Sequence, residues 1–156
     1  MNPHLTLRPW TDIESCQCAE VTGLVFFDCL TDNPIHCATC KNEVDPERLG
    51  LSVEVVEAVA RWHSVNRSLH ALWLDTGEYE AWAKARLLDL SGQVNQDGMK
   101  VATMLSAHLP TCVWLFRDST DDGDADEAVA CPMCGKPLDK NVKYGSGKCL
   151  DCHVFL

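Results

Sequence analysis

At 156 residues and 46% hydrophobic, the chain can bury a core, which excludes wholesale disorder and leaves one ordinary domain or a domain with a small appended module. A net charge of −10 argues against a surface built to grip phosphates regardless of sequence. The first ten residues hold neither a basic cluster nor an apolar run, and no later stretch is long enough to span a bilayer, so neither a secretory signal nor a membrane anchor is expected.

Residues 1–50 read as a β-rich segment carrying a pair of cysteine motifs. Residues 5–30 look extended, and Gly-Leu-Val-Phe-Phe at 23–27 reads as a buried strand. Before it lies Cys16-Gln17-Cys18; after it comes Pro34-Ile35-His36-Cys37-Ala38-Thr39-Cys40, with Asn42 near the position where a positive φ is useful. Ten cysteines in a chain expected to be cytoplasmic should be reduced, so metal binding outranks disulfides. Cys16, Cys18, Cys37 and Cys40 form a candidate second zinc site, although Cys-x-Cys has no turn to converge its sulfurs. The alternative makes Cys16, Cys18 and Cys29 small buried hydrophobes, leaving Cys37 and Cys40 as a free dithiol or part of a site completed by His36.

Residues 51–117 read as a helical core plus one strand. Ser52 offers an N-cap, Glu54 and Glu57 suit the positive helix end, and Val55, Val59, Trp62, Leu69 and Trp73, widened by Val56 and Ala60, predict a helix to about Leu74. Asp75-Thr76-Gly77-Glu78 resembles a capping box, opening a second helix whose apolar face is Ala81, Trp82, Ala85 and Leu88. A third helix follows Ser91-Gly92, with Val94, Gly98, Val101, Ala102, Leu105 and Leu109 on one side and Pro110 as its stop. Thr111 to Phe116 is a second strand candidate. Residues 118–128, six acids and no base, read as a solvated linker or loop.

Residues 129–156 carry the strongest signal. Cys131-Pro132-Met133-Cys134-Gly135 is answered, fourteen residues on, by Cys149-Leu150-Asp151-Cys152, the spacing of a four-cysteine zinc ribbon. Two intervening residues let one tight turn aim both sulfurs of a pair at a single tetrahedral ion. Pro132 sets φ early in the turn and Gly135 supplies the positive φ after it. Such a segment is too short for its own core, so metal binding of roughly 10 kcal/mol or more would be most of its folding free energy. Lys136, Lys140, Lys143 and Lys148 make this the only net-basic segment, but four thiolates around zinc are a −2 centre that cancels the excess.

The order Pro34-Ile35-His36-Cys37-x-x-Cys40, Arg48-Leu49, Trp62, Gly77-Glu78 with Ala81, Val94-Asn95-x-x-Gly98, Val113-Trp114-Leu115-Phe116, and the two closing cysteine pairs resembles a family of uncharacterised bacterial zinc-ribbon-containing proteins. The likeness covers most of the chain from about residue 24 onward. It implies zinc binding by Cys131, Cys134, Cys149 and Cys152, gives Cys37 and Cys40 added weight, and carries a nucleic-acid-binding label but no established activity. The closing His153-Val154-Phe155-Leu156 departs from it in lacking a basic residue beside the last cysteine.

Other chemistry fits less well. Cys149-x-x-Cys152-His153 matches a haem-attachment pattern, but haem leaves Cys131 and Cys134 unexplained. Thioredoxin-type chemistry at Cys37 and Cys40 needs a helix starting at the motif, and the next predicted helix begins about twelve residues later. His63 and His70, two turns apart, with Glu78 and Glu80 beyond, are a metal or acid–base option outweighed by ordinary helix histidines. Trp62, Trp73 and Trp82 are spaced like core anchors; stacking on bases would need them exposed beside Arg61, Arg67, Lys84 or Arg86. No catalytic motif is visible, and a four-thiolate zinc has no open position for water.

The expectation is therefore an α+β chain: a three-helix core flanked by a β-rich N-terminal zinc knuckle and a C-terminal zinc ribbon, holding one or two Zn2+. Its expected role is a non-catalytic adaptor or regulator with a protein partner. The alternatives are nucleic-acid binding through the ribbon lysines, disfavoured by charge, and thiol redox or metal sensing through Cys37 and Cys40.

Overall fold

The computed structural model describes residues 2–8, 14–27, 31–118 and 128–156. Among these residues, five short strands form one sheet: β1 (Leu24–Phe26), β2 (Ile35–Cys37), β3 (Thr111–Trp114), β4 (Lys148–Cys149) and β5 (Val154–Phe155), in the order β2-β1-β3-β5-β4. The middle pairings, β1 with β3 and β3 with β5, are parallel; the outer ones are antiparallel hairpin contacts. Parallel neighbours need a long crossover; that from β1 to β3 carries α1 (Pro46–Leu49), α2 (Val53–Asp75), α3 (Glu80–Leu88) and α4 (Gln93–Leu105), whereas that from β3 to β5 runs through the second cysteine set and β4.

The pleat sorts the side chains. Leu24, Phe26, Val113 and Val154 join the main core with Val56, Val59, Trp62, Ala102 and Leu105 from the helices. Val25, Phe27, Cys112 and Phe155 point to the opposite face, where Ala38, Trp114, Val142 and Tyr144 cover them. Residues 128–156 therefore close over one side of the sheet besides adding two strands to it. The α+β class with four-cysteine groups at both ends of the helical core is as expected.

The long helix runs as its stripe predicts. Ser52 caps it by accepting from Val55 N, and Val55, Val56, Val59, Trp62 and Leu69 are buried. On α4, Val94, Gly98, Val101, Ala102 and Leu105 are buried together with Asn95. Gly98 sits where α4 crosses Trp62: an added Cβ would lie 2.8 Å from Trp62 Nε1 and 3.2 Å from Val113 Cγ2. That indole N–H donates to Val94 O at 2.9 Å, and its ring packs 4.2 Å from Phe26. Gly98→Ala should cost about 1–2 kcal/mol despite alanine's better helix propensity, lowering a thermal midpoint by roughly 2–8 °C. An unchanged or raised midpoint would show that the indole moves aside freely.

Several local expectations are corrected. Pro3–Leu7 is a 3-10 turn, not extended, because Pro3 presets φ and Asn2 caps it by accepting from His4 N. Asp75 ends α2 and does not cap the next helix; Gly77 (φ 62°) redirects the chain, and Glu80 accepts from Gly77 N at 3.1 Å. The inner face of α3 is Ala83 and Leu87, whereas Ala81, Ala85, Trp82 (50% exposed) and Leu88 face out. The small Ala83, fully buried, lets α3 approach α2, so the helix turns its bulky tryptophan to solvent. The acidic connector lies outside the described residues except at its ends, where Asp118 is largely buried and paired with Lys84 at 2.7 Å. Cys29 also lies outside them.

Candidate metal centres

The eight cysteines of the two motif sets converge as two separate groups: Cys16, Cys18, Cys37 and Cys40, and Cys131, Cys134, Cys149 and Cys152. Within each group all four sulfurs lie within 4.8 Å of one another. Each group has two buried members (Cys16 and Cys37; Cys131 and Cys149), and Cys134 alone of the eight is exposed. The two groups sit at opposite edges of the sheet, Cys37 ending β2 and Cys149 ending β4.

The knuckles are built alike. Thr39 N donates to Cys37 Sγ and Met133 N to Cys131 Sγ, both at 3.4 Å. Lys41 N and Gly135 N close the turns onto Cys37 O (3.0 Å) and Cys131 O (2.8 Å). The residue after each second cysteine takes the left-handed conformation: Lys41 (φ 68°), Gly135 (73°) and His153 (57°). Gly135 was expected there; in the first knuckle the position belongs to Lys41, not Asn42, because the turn geometry counts from the cysteine and overrides asparagine's preference.

Cys-x-Cys lacks such a turn, and the structure supplies another device. Arg48, at the end of α1, donates from Nη1 to Cys16 O and from Nη2 to Cys18 O, both at 2.7 Å. Cys16 N also donates to Glu43 O at 2.6 Å. One planar guanidinium thus fixes both carbonyls, aiming two same-side sulfurs at Cys37 and Cys40. No signal short of the fold assigns Arg48 this role. Arg48→Met keeps the stem and removes the fork, and should weaken metal binding at this centre about tenfold, or about 1.4 kcal/mol, with the other centre unchanged. Equal loss at both centres in a chelator competition would refute the assignment.

The thiol electrostatics ask for a cation. Burial, with neighbouring thiols adding to it, pushes Cys40 and Cys152 up to about 12. Burial raises Cys149, and a hydrogen bond with Cys16 raises Cys18. Cys37 is lowered: burial would raise it, but backbone N–H groups at Cys40 and Thr39 and hydrogen bonds with the Cys16 and Cys40 thiols together outweigh that. The Lys136 N–H lowers Cys134. Four sulfurs this close cannot all ionise alone; a divalent cation removes the repulsion and displaces the protons. Tetrahedral sulfur sites suit zinc or iron.

The competing ligands are placed elsewhere. His36 Nδ1 lies 2.8 Å from Lys41 O and its ring packs on Phe27, across the sheet from Cys37. His153 Nδ1 meets Ser106 Oγ and Thr111 O, both at 3.1 Å. His63 is buried, and His70 lies 3.0 Å from Asn66 O with its ring edge-on to Trp73 and Phe116; among the described residues they join no metal-capable group. The first helix after Cys40 starts at Pro46, not at the motif as thioredoxin-type chemistry requires. No helix among the described residues is long and apolar enough to cross a membrane.

Set against known proteins, the chain matches no family model, no curated protein and no solved structure.

Proposed function

We propose that this chain is a cytoplasmic zinc protein with two structural four-thiolate centres, acting without catalysis as an adaptor or regulator for a protein partner. The likeness to bacterial zinc-ribbon proteins belongs to the same proposal. The observation that carries it is the state of the ribbon lysines. Lys136 pairs with Asp151 at 2.7 Å and Lys148 with Asp139 at 3.9 Å, while Lys140 donates to Ala128 O (2.5 Å) and Ser146 O (2.8 Å). Three of the four cations that nucleic-acid binding would use are thus committed within the ribbon. The knuckle tips instead present Met133 and Leu150, 39% and 46% exposed, and exposed apolar tips on a rigid turn suit a protein surface.

One observation favours nucleic acid. Trp82 is half exposed with Arg86 stacked 5.5 Å from its ring, an arrangement that can hold a single-stranded base. The test is a titration of metal-loaded protein with single- and double-stranded DNA and RNA at low and near-physiological salt, with zinc per chain assayed on the same sample. Two zinc ions and no binding are expected. Micromolar binding that weakens with salt and is lost in Trp82→Ala would replace the adaptor reading.

A further inference from the structure

We propose that the two four-cysteine centres bind metal cooperatively, with Tyr144 carrying much of the coupling; the inference rests on both centres being metal-loaded, as proposed above. The turn that brings Cys37 and Cys40 together is held from outside by the other end of the chain. Tyr144 Oη, in the loop between the two cysteine pairs of the C-terminal centre, donates to Cys37 O at 2.7 Å, across 107 residues of sequence. Lys41, the left-handed residue closing that turn, places Nζ 5.1 Å from the Trp114 ring and 5.6 Å from the Tyr144 ring. Tyr144 is itself seated on Trp114 and Phe155, at 5.7 and 5.5 Å.

The seat depends on the C-terminal centre. β4 and β5 are two residues each, too short to persist as an isolated hairpin. The loop from Lys140 to Gly147 lies between Cys134 and Cys149; Ser146 N and Gly147 N donate to Leu156 O, and Asn141 N donates to the Asp139 carboxylate. A metal that fixes those cysteines fixes the loop, and with it the tyrosine that fixes Cys37. The sheet adds a parallel route, since β5 pairs with β3, β3 with β1, and β1 with the β2 strand that carries Cys37. By linkage the effect runs both ways: each metal raises the affinity of the other by one factor. Metal loss at the exposed end, where Cys134 is accessible, would thus discharge both centres together.

The experiment titrates the reduced full-length chain with cobalt(II) and then zinc against a chromophoric chelator, in wild type, Cys134→Ser (N-terminal centre alone), Cys40→Ser (C-terminal centre alone) and Tyr144→Phe. Wild type should lose both metals in one steep step. The N-terminal centre should be at least roughly tenfold weaker in Cys134→Ser than in wild type, within the usual range of coupling between sites. Tyr144→Phe should retain two metals, leave the C-terminal affinity measured in the Cys40→Ser background unchanged, and separate release into two steps. A merely structural tyrosine would shift the thermal midpoint without separating the steps. Two metals released independently, with the same N-terminal affinity in all variants, would overturn the coupling and leave the zinc reading intact. No metal bound by wild type would overturn both.

Discussion

Cys134→Ser should bind one metal per chain fewer and lower the thermal midpoint by about 20 °C or more, since a structural site contributes of order 10 kcal/mol and each kcal/mol is roughly 2–4 °C at this size. From sequence the damage would be confined to a C-terminal module. The fold widens it, because Val154 is fully buried in the main core, pairs with Val113, and brings β5 against the central strand β3. Calorimetry should therefore show the whole transition moving down, with no separate small unfolding step. The pH dependence follows from the thiols. In the metal-free protein Cys152 holds its proton to about 12, whereas a bound metal keeps it ionised. Metal binding thus releases protons, and the stability it confers is lost as pH falls. Full metal content with an unchanged midpoint in Cys134→Ser would remove the C-terminal centre from the account.

What was legible in the chain was what local chemistry dictates. The paired cysteines converge as their spacing requires, Gly135 takes its positive φ, and α2 and α4 bury the stripes that their periodicity marks. What escaped was decided across long separations. Trp82 faces solvent because Ala83 and Leu87 fit α2 better, a choice between two apolar faces of one short helix that periodicity cannot make. Arg48 serves Cys16 and Cys18 from about thirty residues away, and Tyr144 serves Cys37 from 107; neither spacing is a motif. The weakest motif, Cys-x-Cys, still brings its sulfurs within 4.8 Å of those of Cys37 and Cys40, because tertiary hydrogen bonds replace the turn it lacks.

The same long-range logic makes Gly145 the most sensitive glycine among the described residues. Gly50, Gly77 and Gly145 all have positive φ, at 60°, 62° and 74°, so an alanine at any of them carries a backbone cost of about 1 kcal/mol. At Gly50 and Gly77 nothing lies within 4 Å of an added Cβ, and the cost ends there. At Gly145 the Cβ would enter the Phe155 ring and lie 2.6 Å from Leu156 O, which is backbone and cannot swing aside. Gly145→Ala should therefore cost about 3 kcal/mol or more, a drop of roughly 6–12 °C, against about 2–4 °C for Gly50→Ala. The displacement would also lift the neighbouring Tyr144 from its seat and so reach the N-terminal centre. Thermal melts of the two variants with metal content measured alongside test this directly. If Gly145→Ala melted with Gly50→Ala, the loop would not be clamped against β5, and the grip of Tyr144 on Cys37 would lose its foundation.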